Sequence, residues 1–265
     1  MITWFLRSLS HNWDLLWQMV VSDLRGRYVG SSLGLFWSVI HPLVMILIFT
    51  IVFSRVMGAR LPGASDTYAY GIYLCAGLLP WIAFQDLVAR TTTIFLDNAN
   101  LVRKVAFPKS VLYGFAVVSG GVNAGLAIGA FMVVLLVTGH FLHVTFLLWL
   151  PFVALQLTFG LGIGIIASVL HVFLRDTSQL VTVLLQVWFW ATPIVYVDTI
   201  LPEWLQRLER LNPLFLFSAT HRMIVLDGQI PTLRRTAALL LVTGLVVALG
   251  GLMYRRFRAE ILDEL

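Results

Sequence analysis

The chain has 265 residues, of which 59% are hydrophobic and 12% charged, with a mean hydropathy of +0.90 and a formal net charge of +5. A soluble domain carries about 25% charged residues, so this composition cannot supply a water-facing shell, and lipid is the expected solvent. The single cysteine, Cys75, excludes an intramolecular disulfide. The basic residues are scattered between apolar runs instead of forming one stripe, which argues against a nucleic-acid partner.

Residues 1–27 are expected to be a cytoplasmic, interfacial segment. Trp13, Leu16, Trp17, Val20, Val21 and Leu24 recur at helical spacing, and Asp14, Gln18, Ser22 and Asp23 take the other faces. This pattern predicts an amphipathic helix with two tryptophans, suited to the membrane interface. No small-residue cleavage site precedes the first long apolar run, so the first span is expected to act as its own insertion signal.

About 20 apolar residues cross a bilayer as a helix. Runs poor in charge predict six such helices, over 28–54, 67–93, 110–138, 144–173, 177–197 and 233–254. The third and fourth share one long uncharged stretch, which must fold back on itself, and Thr138-Gly139-His140 is its expected turn. Backbone groups in lipid must pair within their own segment, so helices are predicted over open strands.

With the N-terminus inside, the cytoplasmic sectors hold Arg7, Arg25, Arg27, Arg103, Lys104, Lys109, Arg175, Arg255, Arg256 and Arg258. The outer sectors hold Arg55, Arg60, Arg207, Arg210, Arg222, Arg234 and Arg235. The excess inside places both termini in the cytoplasm. Residues 198–232, after the fifth span, contain Trp204, Pro213, Phe215 and Phe217 and are too apolar for a solvated loop. Two short external helices that re-enter the membrane are expected there, their ends shielded by protein.

Catalytic motifs are missing. No Gly-Lys pair occurs, so there is no GxxxxGK[ST] phosphate loop, and CxxC and HExxH are absent. No metal site is expected from His140 and His143 at an external turn. Gly162-Ile-Gly164-Ile-Ile-Ala167 imitates a dinucleotide fingerprint but lies within a span, where small residues serve helix packing. The same packing role is expected for Gly30 and Gly34 and for Gly121, Gly125 and Gly129. Asp86 and Arg90, four residues apart, are expected to pair or to sit at the inner interface. Asn123, Gln156, Gln179 and Gln186 are candidates for hydrogen bonds between helices. No ladder of carboxylates suggests an ion-coupled carrier. Phe36, Trp37, Trp81, Phe84, Trp188 and Phe189 lie inside spans. The C–H face of a sugar stacks on such rings, which makes them candidate lining for a glycan path.

Four segments carry a family resemblance. Asp23-Leu-Arg-Gly-Arg-Tyr-Val-Gly-Ser-Ser-Leu-Gly-Leu-Phe-Trp-Ser-Val-Ile-His-Pro-Leu43 resembles the RY…LG…W…P opening of ABC-2-type polysaccharide export permeases, and Asn100-Leu-Val-Arg-Lys-Val-Ala-Phe-Pro-Lys109 resembles their NLIRK..FP inner loop. Arg175-Asp176 with Pro193-Ile-Val-Tyr196 matches a third block, and Leu211-Asn-Pro213 a fourth. The blocks stand in the family's order and cover nearly the whole chain.

The resemblance implies an all-α, polytopic permease in which residues 1–265 form one transmembrane domain of a bacterial inner-membrane protein, acting as a homodimer. A separate ABC ATPase subunit would bind ATP and Mg, so no cofactor and no catalytic residue are expected on this chain. The cargo would be an undecaprenyl-type lipid-linked polysaccharide: O-antigen, capsule or teichoic acid, with the O-antigen branch the most similar. Asn100, Leu101, Arg103, Lys104, Phe107, Pro108 and Lys109 would belong to the loop that couples to the ATPase. Arg25, Arg27 and Tyr28 would frame the entrance for the carrier's pyrophosphate, because Arg suits bidentate phosphate recognition. Other readings of the same composition are a membrane-embedded glycan polymerase or ligase, a stand-alone secondary transporter, and an exporter of drugs or lipids.

Overall fold

A computed structural model describes residues 11–26, 36–52, 69–103, 107–137, 139, 144–197 and 201–265. Its elements in chain order are α1 (Trp13–Gly26), α2 (Trp37–Thr50), α3 (Ala69–Asp97), α4 (Ala99–Val102), α5 (Ser110–Val137), a 3₁₀ turn (Val144–Leu148), α6 (Trp149–Phe173), α7 (Thr177–Trp190), α8 (Glu203–Glu209), α9 (Pro213–Val225), α10 (Leu233–Phe257) and α11 (Glu260–Glu264). No strand occurs among the described residues. Among them four helices are long and apolar enough to cross a membrane: Tyr70–Asp97, Ser110–Leu136, Val144–Phe173 and Leu233–Phe257.

The two other expected spans are not among these four long helices of the described residues. The described helix of the first covers Trp37–Thr50. The fifth, expected over 177–197, is helical only from Thr177 to Trp190 and continues as turns around Pro193. Its 14 helical residues rise about 21 Å, short of a hydrocarbon core about 30 Å thick. Proline at 193 has no N–H to extend the helix and disfavours helical backbone in the residue before it. The expected reversal at 138–140 is borne out at its glycine: Gly139 turns with φ +78° between α5 and the 3₁₀ turn.

The core is built around α6, which packs on α3 and on α10. Missing side chains permit that closeness. A Cβ on Gly164 would lie 2.5 Å from Thr91 Cβ on α3, and one on Gly162 would lie 2.9 Å from the Val247 backbone nitrogen on α10. The Gly162/Gly164 packing role is therefore borne out. Gly121, Gly125 and Gly129 are different: among the described residues a Cβ there meets nothing within 4 Å, so these glycines mark no close approach to them. Gly30 and Gly34 lie outside the described residues.

The N-terminal helix divides its apolar residues. Leu16 and Val20 are fully buried against Val111 of α5, with Phe115 and Val118 nearby. Trp13 and Trp17 stack on each other with centroids 6.4 Å apart and remain about half exposed, at 52% and 49%. Further along, Ser119 Oγ donates to Asp23 Oδ2. From Val111 to Ser119 is about 12 Å of helix, so α1 runs along α5 in place of resting on it at one point.

Residues 201–232 form the two short helices the sequence suggests. Asn212 caps α9 by accepting from the Leu214 backbone N–H at 3.0 Å, and Pro213 takes the first helical position, where its missing N–H costs nothing. Most of α9 is buried, including Leu214, Phe217, Ser218, Thr220, His221, Arg222 and Ile224. It fits against α3 at Gly77, where an added Cβ would come within 3.1 Å of Ser218 Oγ. Against α6, His221 Nε2 lies 2.7 Å from Gln156 Oε1, so Gln156 does bond between helices. Arg222, assigned from sequence to an outer loop, is 9% exposed. Helical phase places it on the face of α9 that packs on α3.

Candidate functional site

Three constellations carry the polar chemistry of the chain. The first sits in the half of α3 that leads to Asp97. Arg90 Nε lies 2.8 Å from Asp86 Oδ2 one turn back on α3, as the spacing predicts, and its Nη1 lies 3.3 Å from Asp23 Oδ2 on α1. With Ser119 on the same Asp23 oxygen, three helices meet at one carboxylate. Arg25, two residues on, is exposed in the last turn of α1, whereas Arg27 and Tyr28 lie outside the described residues. Sequence reasoning missed the part played by Asp23, because a partner 67 residues away leaves no local signal.

The second is aromatic. Trp81 and Phe84 are 2% and 0% exposed. The Trp81 ring lies 5.5 Å from those of Phe84 and Phe189, and Phe84 packs against Phe159 at 6.0 Å and Trp188 at 6.2 Å. Trp188 Nε1–H donates to Asn212 Oδ1 at 2.9 Å, and Trp81 Nε1–H to Gln85 Oε1 at 3.0 Å. Four of the six candidate lining rings thus form one cluster tying α3, α6, α7 and α9 together, and the enclosed faces of Trp81 and Phe84 are not open to a ligand in this conformation. Phe36 and Trp37 differ: they are 70% and 46% exposed at the start of α2. Gln179 and Gln186, expected to bond between helices, are exposed on α7 and bond to no other described residue.

The third grips the irregular stretch after α7. Tyr70 Oη–H donates to the Val195 carbonyl at 2.7 Å, Tyr73 Oη–H to the Tyr196 carbonyl at 2.9 Å, and Arg222 Nη2–H to the Ile194 carbonyl at 2.7 Å. Three consecutive carbonyls that leave the helix are thereby satisfied by side chains of α3 and α9, as buried backbone requires. The Arg222 guanidinium also stacks 3.7 Å over the Tyr73 ring, a cation–π contact. Asn212 Nδ2–H donates to Thr192 Oγ1 at 2.9 Å. The segments Pro193–Tyr196 and Leu211–Pro213, separate in sequence, form one joint. The polar residues that make it were legible only as tyrosines near a helix start and an Asn-Pro cap.

The loop of residues 98–109 follows α3 directly. Asn98 caps it by donating from Nδ2 to the Ile94 carbonyl at 2.9 Å. Asn100 and Arg103 are exposed, Leu101, Phe107, Pro108 and Lys109 are half-buried, and Lys104 lies outside the described residues. Phe107 packs on the same core cluster as Val102, Phe257 and Ile261, which seats the loop against the C-terminal end of the chain. Partial burial, and then the nearby Arg258 charge, hold the Lys109 amine below its usual pKa. Among the described residues no group of three His, Cys, Asp or Glu side chains is placed to hold a metal.

The sequence matches the family model for ABC-2 type transporters over residues 14–225. It is similar to an O-antigen export system permease protein RfbA of Klebsiella pneumoniae, 30% identical over 246 residues covering 92% of each chain. An O-antigen export system permease protein RfbA of Myxococcus xanthus is 29% identical over 262 residues covering 98% of each chain. With a match that spans the Asp23–Arg90 cluster, the aromatic cluster and the carbonyl grip, the chain belongs to the ABC-2 type transporter family.

Proposed function

We propose that this chain is the membrane subunit of an ATP-driven exporter that moves a lipid-linked polysaccharide, of the O-antigen class, from cytoplasm to periplasm along a path between two copies of itself. The observation that carries the reading is its similarity, over more than nine-tenths of each chain, to permeases named for O-antigen export. The missing phosphate loop agrees with it, because the nucleotide would be bound and split, with Mg, on a separate ATPase subunit.

In this reading the chain is a multi-pass protein of the bacterial inner membrane with six spans and both termini in the cytoplasm. The first and fifth spans contain α2 and α7. The stacked Trp13 and Trp17 of α1 face the lipid interface. Residues 98–109, with exposed Asn100 and Arg103, receive the ATPase. Arg25, Arg27 and Tyr28 meet the pyrophosphate of an undecaprenyl-type carrier as it enters. Helices α8 and α9 are re-entrant at the periplasmic side: α9 lies beside Gly77, about 12 Å inside α3 from Ala69. Of the aromatic candidates, the exposed Phe36 and Trp37 meet the sugar, and the buried rings act as the frame.

Reconstitution tests this directly. The chain, an ATPase encoded beside it and a lipid-linked glycan are placed in vesicles, and glycan made accessible to an external lectin is measured. Appearance that requires the chain, the ATPase and ATP together is expected. Appearance with the chain alone under an ion gradient would establish a stand-alone carrier, and lengthening of the glycan without movement would establish a polymerase.

A further inference from the structure

Helix α7 shows an outward face unlike that of the other long helices. The exposed mid-helix residues of α10 include Leu240, Leu241, Leu245, Leu249 and Leu252, and those of α5 include Leu126, Val133 and Val134. Those surfaces suit hydrocarbon. On α7 the exposed set is Gln179, Leu180, Thr182, Val183, Leu184, Gln186, Val187 and Trp190. At about 100° per residue, Thr182, Gln186, Gln179 and Trp190 fall on one side of Val183, and Val187, Leu180 and Leu184 on the other. The exposed face is therefore split lengthwise into a polar edge and an apolar edge.

The polar edge extends onto α3. Phe189 borders it by the same helical phase, and its ring touches Trp81, whose indole N–H is accepted by Gln85 Oε1. Gln85 is exposed, and its amide nitrogen donates to no other described residue. From Gln179 near the inner end of α7 to Trp190 at its outer end is about 16 Å. Carboxamides facing hydrocarbon are costly unless something hydrogen-bonds them.

We infer that Gln85, Gln179, Thr182, Gln186 and Trp190 form a hydrogen-bonding track for an uncharged polyhydroxyl chain, a glycan, with the apolar edge of α7 turned to a second copy or to lipid. The assignment deepens the proposed function and rests on it. A carboxamide offers two donors and an acceptor oxygen, matching sugar hydroxyls that both donate and accept. The indole of Trp190, 57% exposed, offers a face for the C–H side of a sugar ring. The edge carries no charge to hold an ion and no continuous apolar strip to hold an acyl chain. The uncharged, repeated character of these contacts lets a chain advance by exchanging equivalent bonds.

Photocrosslinking tests the track in cells that express this chain and synthesise the glycan. p-Benzoylphenylalanine replaces Gln179 or Gln186, and in separate strains Leu184 or Leu245. A carbohydrate-positive ladder on the permease from positions 179 and 186, and not from 184 or 245, is expected. Gln179→Leu and Gln186→Leu should each slow display about fivefold, one hydrogen bond's worth, at wild-type levels of assembled permease–ATPase complex. Gln186→Asn should recover most of the loss. Equal glycan capture at 184 and 245, crosslinks from 179 and 186 to a second copy alone, or full display by Gln179→Leu/Gln186→Leu would overturn the track and leave the exporter reading intact. Surface glycan in cells lacking the chain would overturn both.

Discussion

Arg222 offers the sharpest test of the joint after α7. Replacing it with Met keeps most of the buried volume and removes the charge. The hydrogen bond to the Ile194 carbonyl at 2.7 Å is lost, worth about 1.5–3 kcal/mol when one partner is charged. The cation–π contact over Tyr73 at 3.7 Å adds about 1–2 kcal/mol in a desolvated place. Hydrogen bonds between membrane helices often measure lower, about 0.6 kcal/mol, and removing a buried charge returns part of the cost of burying it. A net loss of roughly 2–3 kcal/mol corresponds to about a 30- to 150-fold rise in local opening. The assay uses Ile194→Cys, a position only 1% exposed, in a Cys75→Ser background, labelled with a membrane-impermeant maleimide. Labelling should accelerate by that factor with Arg222→Met, and by about fivefold with Tyr73→Phe, which removes a single neutral hydrogen bond. Equal labelling rates in Arg222→Met and the parent would refute the grip.

Gly164→Ala should destabilise the protein by roughly 2–4 kcal/mol, because its Cβ would sit 2.5 Å from Thr91 Cβ, whereas Gly125→Ala, mid-helix and clear of the described residues, should be neutral to stabilising by up to about 1 kcal/mol. Thermal unfolding in detergent separates them. Phe84→Ala should cost about 3–5 kcal/mol as a core cavity, read as reduced protein yield and melting temperature, while each molecule that folds still exports. Asp23→Asn should free α1 from Arg90 and increase protease cutting near Gly26, and Asp23→Glu should restore protection.

Much of the architecture is written in the local sequence, and the failures share a cause. Uncharged runs locate the long helices because lipid imposes one rule along the whole segment: backbone satisfied within and apolar side chains without. The Asp86/Arg90 pair is visible because helical spacing fixes it. The direction in which an aromatic points is not visible, since α3 from Ala69 to Phe84 has no charged or amide side chain and α6 has few polar ones, which leaves no periodic contrast to tell the buried Phe84 face from an open one. The glycines show the same limit. Gly162 and Gly164 face α10 and α3, while Gly121, Gly125 and Gly129, small residues at a regular spacing of four, face none of the described residues. Arg222 is misread from sequence for the opposite reason: a charge in a segment between spans suggests water, but the carbonyls of 194–196 and the ring of Tyr73 supply a polar site inside the protein.

Helix α3 links the inner loop to the outer joint without a break in its chain, and it contains a proline. Its 29 residues extend about 43 Å, from Tyr70 and Tyr73 at the carbonyl grip to Asp97 beside the inner loop. Pro80 has no N–H for the Ala76 carbonyl and crowds it, so bending is easiest there. On the outer side of that point α3 is fastened to residues 195–196 and lies against α9; on the inner side it is clamped to α6 where Gly164 meets Thr91. A push at residues 98–103 therefore reaches the outer joint through a rod with one weak place. Pro80→Ala restores the missing hydrogen bond, a gain of up to about 3 kcal/mol offset by the small cavity left at a buried site. The folded protein and its complex with the ATPase should survive, and ATP should still be hydrolysed. If bending at Pro80 carries the stroke, glycan exported per ATP should fall severalfold in the reconstituted complex. An unchanged ratio in a protein whose melting temperature has risen would show that α3 moves as a rigid rod and that the stroke bends elsewhere.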